Sequence, residues 1–224
     1  MKYELTDITM EWHGNTLYRI RALHDIPGAY VRAGDLGGYV AGERNLSQTG
    51  SSWVRENALV AENACVSEDA VIAENAMITE NAFVGGRARV TATALVTGFA
   101  CVGGHAWVGG DAWVLGNTWI GGYSGIIGGV WEKTPLQIQG SKWWCNMSSD
   151  KLWKMGCCTY ELREWVERFD EITEEHYQQH YATEYWRYVR LACEMYAPEL
   201  AARLEGDARS GAGAGGGAGG HAAR

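Results

Sequence analysis

Twelve successive hexads carry a Val or Ile at the same place: Val54, Val60, Val66, Ile72, Ile78, Val84, Val90, Val96, Val102, Val108, Val114 and Ile120. The residue two before each is small, and from Ala58 to Ala112 it is always Ala. A period of six fits neither one face of an α-helix nor the simple alternation of a strand. It suits a short strand plus a corner, repeated. Three units would then close one turn of a triangular coil, and residues 18 apart would stack in ladders.

In such a coil the Val/Ile and the Ala two before it point inward, and the residue between them points out. The outward residues sort into three ladders. The first is Leu59, Met77, Leu95 and Trp113. The second is Cys65, Phe83, Cys101 and Trp119. The third is Trp53, Val71, Arg89 and Trp107. A solvated coil would carry polar residues here, so two wholly apolar faces imply cover. The expected interface residues are Leu59, Met77, Leu95, Trp113, Phe83 and Trp119. One face could dock the N-terminal hairpin or the C-terminal helix, another a second subunit.

A stack of parallel strands exposes open edges at both ends, and the flanking segments are the candidates to cap them. Residues 1–50 read as an N-terminal β cap. Ile8, Met10 and Trp12 alternate before His13-Gly14-Asn15, and Leu17–Leu23 follows as a second strand, which is a hairpin pattern. Residues 51–126 are the coil, with Ile126 able to begin a fifth turn. Residues 127–158 form a connector of short strands around Leu136–Ile138, Trp143–Met147 and Leu152–Met155. Residues 159–207 read as a helical module. Thr159 stands as N-cap, and the apolar stripes are Leu162, Trp165, Val166, Phe169, Ile172 and Tyr181, Tyr185, Val189, Ala192, Tyr196. Residues 208–224 are a Gly/Ala tail with almost nothing to bury.

The formal net charge of −8 argues against nucleic acid as the general partner. The start of the chain has no signal-peptide pattern, no run of 18 apolar residues exists, and six Cys are too sparse for a disulfide scaffold. The expected compartment is therefore the cytoplasm, with no membrane partner.

The hexads resemble those of hexapeptide-repeat proteins, which form left-handed parallel β-helices; that handedness is implied by the resemblance. The flanks are similar to something narrower. Leu17-Tyr18-Arg19-Ile20-Arg21-Ala22-Leu23, Gly34–Val40, Asn45-Leu46-Ser47 and Trp53-Val54 resemble the opening segment of YdcK-like, "polymer-forming" β-helix proteins of bacteria and phages. Thr134–Gly140, Met155-Gly156-Cys157 and Trp165 resemble the tail module of small phage and prophage members. The resemblance implies a mainly β fold, a bacterial or phage setting and a homotrimer. It brings little chemistry.

The chemical candidates are few. Trp107, Trp113, Trp119 and Trp131 could form an aromatic ligand site, or a girdle onto which the C-terminal module packs. His105 is the only His within the repeat. Hexapeptide acyltransferases use a His as general base, so His105 with acyl-CoA is the enzymatic reading. It sits at a corner where Asn or Asp usually stands, and no second group clearly partners it. Cys157, His176 and His180 invite a zinc site, with the two His at helical i, i+4 spacing. Yet there is no C-x-x-C, and adjacent Cys residues on a strand point to opposite faces. Glu56, Glu62, Glu68, Glu74 and Glu80 share one hexad position, later held by Gly or Ala. They read as a solvated acidic corner. The expected function is a non-catalytic oligomeric scaffold or binding protein without cofactor, acting on a host protein or a small ligand, with antagonism of host defence as one version.

Overall fold

The computed structural model describes residues 1–176 and 179–204. The chain divides into two compact units, Met1–Thr159 and a second beginning at Tyr160.

The first unit is a β-solenoid of about five turns, built from stacked parallel strands. Most strands are only two residues long, as the hexad requires: one outward residue, one inward aliphatic, then a corner. Register runs in steps of 18, as in Leu59–Met77–Leu95–Trp113 and Cys65–Phe83–Cys101–Trp119. The inward Val and Ile residues from Val54 to Ile126 are fully buried. Ala58 to Ala112 are buried beside them, because a larger side chain would not fit between adjacent aliphatics. At the ends the small residue becomes a hydroxyl, in Ser52, Thr118 and Ser124, and each is hydrogen-bonded to a capping residue.

Every corner needs one residue in the left-handed region. Glu56, Glu62, Glu68, Glu74 and Glu80 hold φ between 54° and 60°, and Ala92 holds 59°. Glycines hold the corresponding corners later. The acidic run is thus a backbone device. The Glu56 carboxylate accepts the Glu74 N–H at 2.7 Å, that of Glu62 the Glu80 N–H at 2.6 Å, and that of Glu68 the Gly86 N–H. These bonds tie each corner to the next and offset the cost of a left-handed non-glycine residue, about 1 kcal/mol.

The solenoid begins earlier than the hexads imply. Strand β1 (Tyr3–Trp12) pairs antiparallel with β2 (Asn15–Ala22), with a bulge between Leu5 and Thr9. Strand β3 (Leu36–Val40) pairs antiparallel with β2 on one edge and parallel with Leu59–Val60 on the other. It therefore converts the hairpin into the first rung. Leu46 bridges to Val66, and Trp53–Val54 completes the turn. The two extra residues between Leu46 and Val54 hide this turn from a strict period of six. At the far end, Val130–Trp131 adds a further rung beyond Ile126.

The C-terminal cap is a four-stranded sheet in the order Gln137–Gln139, Trp144–Met147, Leu152–Met155, Cys158–Glu161. Its side chains finish the open edge. Asn146 bonds both the N–H and the C=O of Gly125, at 3.2 and 2.9 Å. Gln137 accepts from the Gly121 N–H at 2.9 Å and donates to the Trp119 carbonyl at 2.8 Å.

Thr159 is not a helix cap. It lies in the last strand, where a β-branched and an aromatic residue, Thr159-Tyr160, favour extension. Helix α1 (Leu162–His176) starts three residues later, and its buried face is Leu162, Trp165, Phe169 and Ile172. It departs from helical geometry at Arg168. Helix α2 (Ala182–Tyr196) buries Tyr185, Val189, Ala192 and Cys193, and residues 198–204 are helical again. The helical segment is thus broken into three helices, with a 3-10 turn at Gln179–Tyr181. The Gly/Ala tail lies outside the described residues. No helix among the described residues is long and apolar enough to cross a membrane.

Candidate functional site

The four tryptophans singled out in the sequence separate into two groups. Trp131 is 7% exposed and occupies the inward place above Val114, where its indole N–H donates to the Gly128 carbonyl at 3.0 Å. It plugs the end of the core. The Gly128-Gly129 pair shortens the final hexad by one residue, and this brings Trp131 inward. Trp107, Trp113 and Trp119 stay outward, each about half exposed. They stand on three different sheets of the coil, so no ligand within one chain can touch all three.

Glycines flatten two of them against the coil. A Cβ at Gly109 would lie 2.9 Å from the Trp107 ring, and one at Gly121 would lie 3.0 Å from the Trp119 ring. Phe83 lies over Gly85 in the same way, at 2.6 Å. The recurring signal is aromatic–aliphatic–Gly, legible in the sequence at Phe83-Val84-Gly85, Trp107-Val108-Gly109 and Trp119-Ile120-Gly121. The Trp107 indole N–H also donates to Thr91 Oγ1 at 3.0 Å.

The three faces differ in cover. On the first, the hairpin residues Met10, Trp12 and Leu17 pack over Leu59. Leu59 is 5% exposed and has no surface left for a partner. Met77 is partly covered by the same cluster, Leu95 is half-buried and Trp113 is exposed. On the third, Trp53 is buried, Val71 is half-buried, and Arg89 and Trp107 are exposed. The second is apolar from end to end: Cys65 and Cys101 are half-buried, Phe83 and Trp119 exposed. Burial pushes the Cys65 and Cys101 thiols above their ordinary range, so both behave as small apolar groups.

Beside Trp119, the residues Gly121, Thr134, Pro135, Gln137 and Trp144 enclose a groove of about 190 Å³. A groove of about 240 Å³ lies near the other end of the third face, lined by Ser51, Asp69, Arg87 and Arg89 among others. A larger one of about 760 Å³ lies within the second unit, bordered by Val166, Phe169 and Trp186. Arg168, on its wall, is held by Glu164 and Glu171.

His105 is exposed on a corner. Its ring stacks on Tyr123 with centroids 4.8 Å apart and planes 8° from parallel. Its backbone N–H donates to the Gly122 carbonyl at 2.7 Å. Among the described residues no carboxylate is bonded to the ring, whose contact is Tyr123. The zinc candidates belong to different elements. Cys157 is an exposed turn residue with its Sγ 3.8 Å from that of the buried Cys158. His176 ends α1 beside Glu175, and His180 belongs to the separate 3-10 turn, its ring tilted 41° against that of Tyr181. No group of three His, Cys, Asp or Glu among the described residues is placed to hold a metal.

No protein-family model matches the chain, and no curated protein matches it. Fold and surface together define a capped β-solenoid with outward aromatic ladders.

Proposed function

We propose that this chain is a non-catalytic oligomeric scaffold or binding protein of phage or prophage origin, which binds a host protein or sequesters a small ligand. Its coil is a left-handed β-helix of the hexapeptide-repeat type in this reading, on the strength of the Ala-x-Val/Ile hexads and the resemblance they carry. The observation that supports the function is the second face. Cys65, Phe83, Cys101 and Trp119 form one uninterrupted apolar ladder, with Phe83 38% and Trp119 58% exposed. Contiguous apolar surface of this kind marks an interaction site.

The test has two arms. Sedimentation of the full chain is expected to give an oligomer, and a monomer at every concentration would overturn the reading. Incubation with acetyl-CoA and hydroxyl or amine acceptors is expected to give no transfer that depends on His105. Turnover in the wild type that disappears in His105→Ala would replace the scaffold with an acyltransferase.

A further inference from the structure

The second face alternates in size along its length: small Cys65, large Phe83, small Cys101, large Trp119. The strip beside it does the same in space. Gly85 is covered by the Phe83 ring and Gly121 by the Trp119 ring, whereas a Cβ at Gly103 would meet nothing within 4 Å. Cys101 and Gly103 together therefore leave an open hollow between two aromatic knobs. Neighbouring rungs are about 4.8 Å apart, so the knobs are about 10 Å apart, with one hollow between them and one beyond Phe83 at Cys65 and Ser67.

Read backwards, small–large–small–large becomes large–small–large–small. We infer that two copies of this chain pair through this face, antiparallel about a twofold axis between Phe83 and Cys101. Phe83 of each copy then enters the Cys101–Gly103 hollow of the other, and Trp119 covers the other's Cys65. A parallel pairing in register would set ring on ring and hollow on hollow, so the geometry selects the antiparallel one. A single patch used twice is the signature of an isologous interface. The glycine strip lets the sheets approach to the usual separation of about 10 Å. This inference rests on the oligomeric reading above, and it replaces the trimer implied by the family resemblance with a twofold pair. Four rungs make a small interface, so association in the micromolar range is expected.

The test is sedimentation of the full chain over a concentration series, with circular dichroism to verify folding. Wild type should approach twice the 24.6 kDa protomer mass. Cys101→Phe fills the hollow and should weaken pairing about tenfold or more, although it adds apolar surface. The double change Phe83→Cys with Cys101→Phe exchanges knob and hollow; it gives up the strict alternation but keeps each large residue opposite a small one across the twofold axis, and should restore pairing. A trimer, or a dimer indifferent to Cys101→Phe, overturns this inference and leaves the oligomeric reading standing. A monomer at all concentrations overturns both. Failure of the folded double variant to recover pairing also overturns the inference, because apolar area alone would then explain the association.

Discussion

Asn146 meets Gly125 as a neighbouring strand would, its Nδ2 donating to the Gly125 carbonyl at 2.9 Å and its Oδ1 accepting the Gly125 N–H at 3.2 Å. One side-chain amide thus stands in for a whole missing rung. Both partners are buried, so neither Gly125 group has water to turn to. The Gly125 carbonyl also accepts from the Ser148 hydroxyl at 2.6 Å, so Asn146→Leu leaves only the Gly125 N–H unsatisfied and is expected to destabilise the first unit by about 1–3 kcal/mol. Urea unfolding followed by tryptophan fluorescence measures it. A change below about 0.5 kcal/mol would mean that the edge is satisfied some other way.

The left-handed corners make an unusual substitution order. At Glu62, φ is 57° and the carboxylate holds the next corner's N–H. Glu62→Gly loses that bond but gains backbone freedom, and should change stability by less than about 1 kcal/mol. Glu62→Val combines the lost bond with a β-branched residue in the left-handed region, and should cost about 2 kcal/mol or more. Thermal melting of the two variants decides. Equal effects would remove φ as the governing factor.

Lys2 is a buried cation. Its Nζ donates to the Ser52 carbonyl and hydroxyl at 2.8 and 3.0 Å, and burial lowers its pKa from 10.5 to about 8, with Asp69 opposing the shift. A lowered folded-state pKa means that the unfolded chain holds more protons between pH 8 and 10.5. Stability from this group therefore rises with pH across that window, by at most about 3 kcal/mol. Burial raises the Tyr3 hydroxyl to about 12 and also raises the thiols of Cys65 and Cys101, so these act in the opposite sense at higher pH. The clearest comparison is pH 8 against pH 9. Denaturant titrations should show a positive slope in wild type that flattens in Lys2→Met. Identical slopes would show that Lys2 is not the titrating group.

Trp113 and Trp119 are similarly exposed but stand on different faces. Trp119→Glu places a charge within the second face and should lower self-association at least about tenfold, with little change in melting temperature. Trp113→Glu, on the first face, should leave the mass unchanged. Sedimentation of both variants tests the assignment, and equal loss would mean that the first face assembles as well.

The solenoid was legible because its constraint is local and repeated: one inward aliphatic and one Ala per rung leave no other period to fit. The ladders of 18 follow from that alone. The first turn was not legible, because the two extra residues between Leu46 and Val54 break the phase while preserving the inward places of Val40 and Leu46. The inward place of Trp131 was hidden for the same reason in reverse. A hexad shortened at Gly128-Gly129 moves an apparently outward indole into the core. The role of the glutamates was hidden because their charge suggests solvent, whereas their backbone angle does the structural work. Thr159 carries a helix-cap residue type in a stretch that the cap sheet recruits as a strand.

The two caps are attached at fixed phases of a three-sided coil, and this limits how the chain can change in length. Inserting a whole turn between them moves the caps apart along the axis but leaves them on the same sides. Inserting a single hexad would rotate the C-terminal cap about 120° relative to the hairpin and carry the Trp119 groove around to another side. Length in this molecule is therefore counted modulo three. Growth in multiples of 18 residues lengthens its aromatic ladders without rewiring either end, so surface can be added while the ends keep their chemistry.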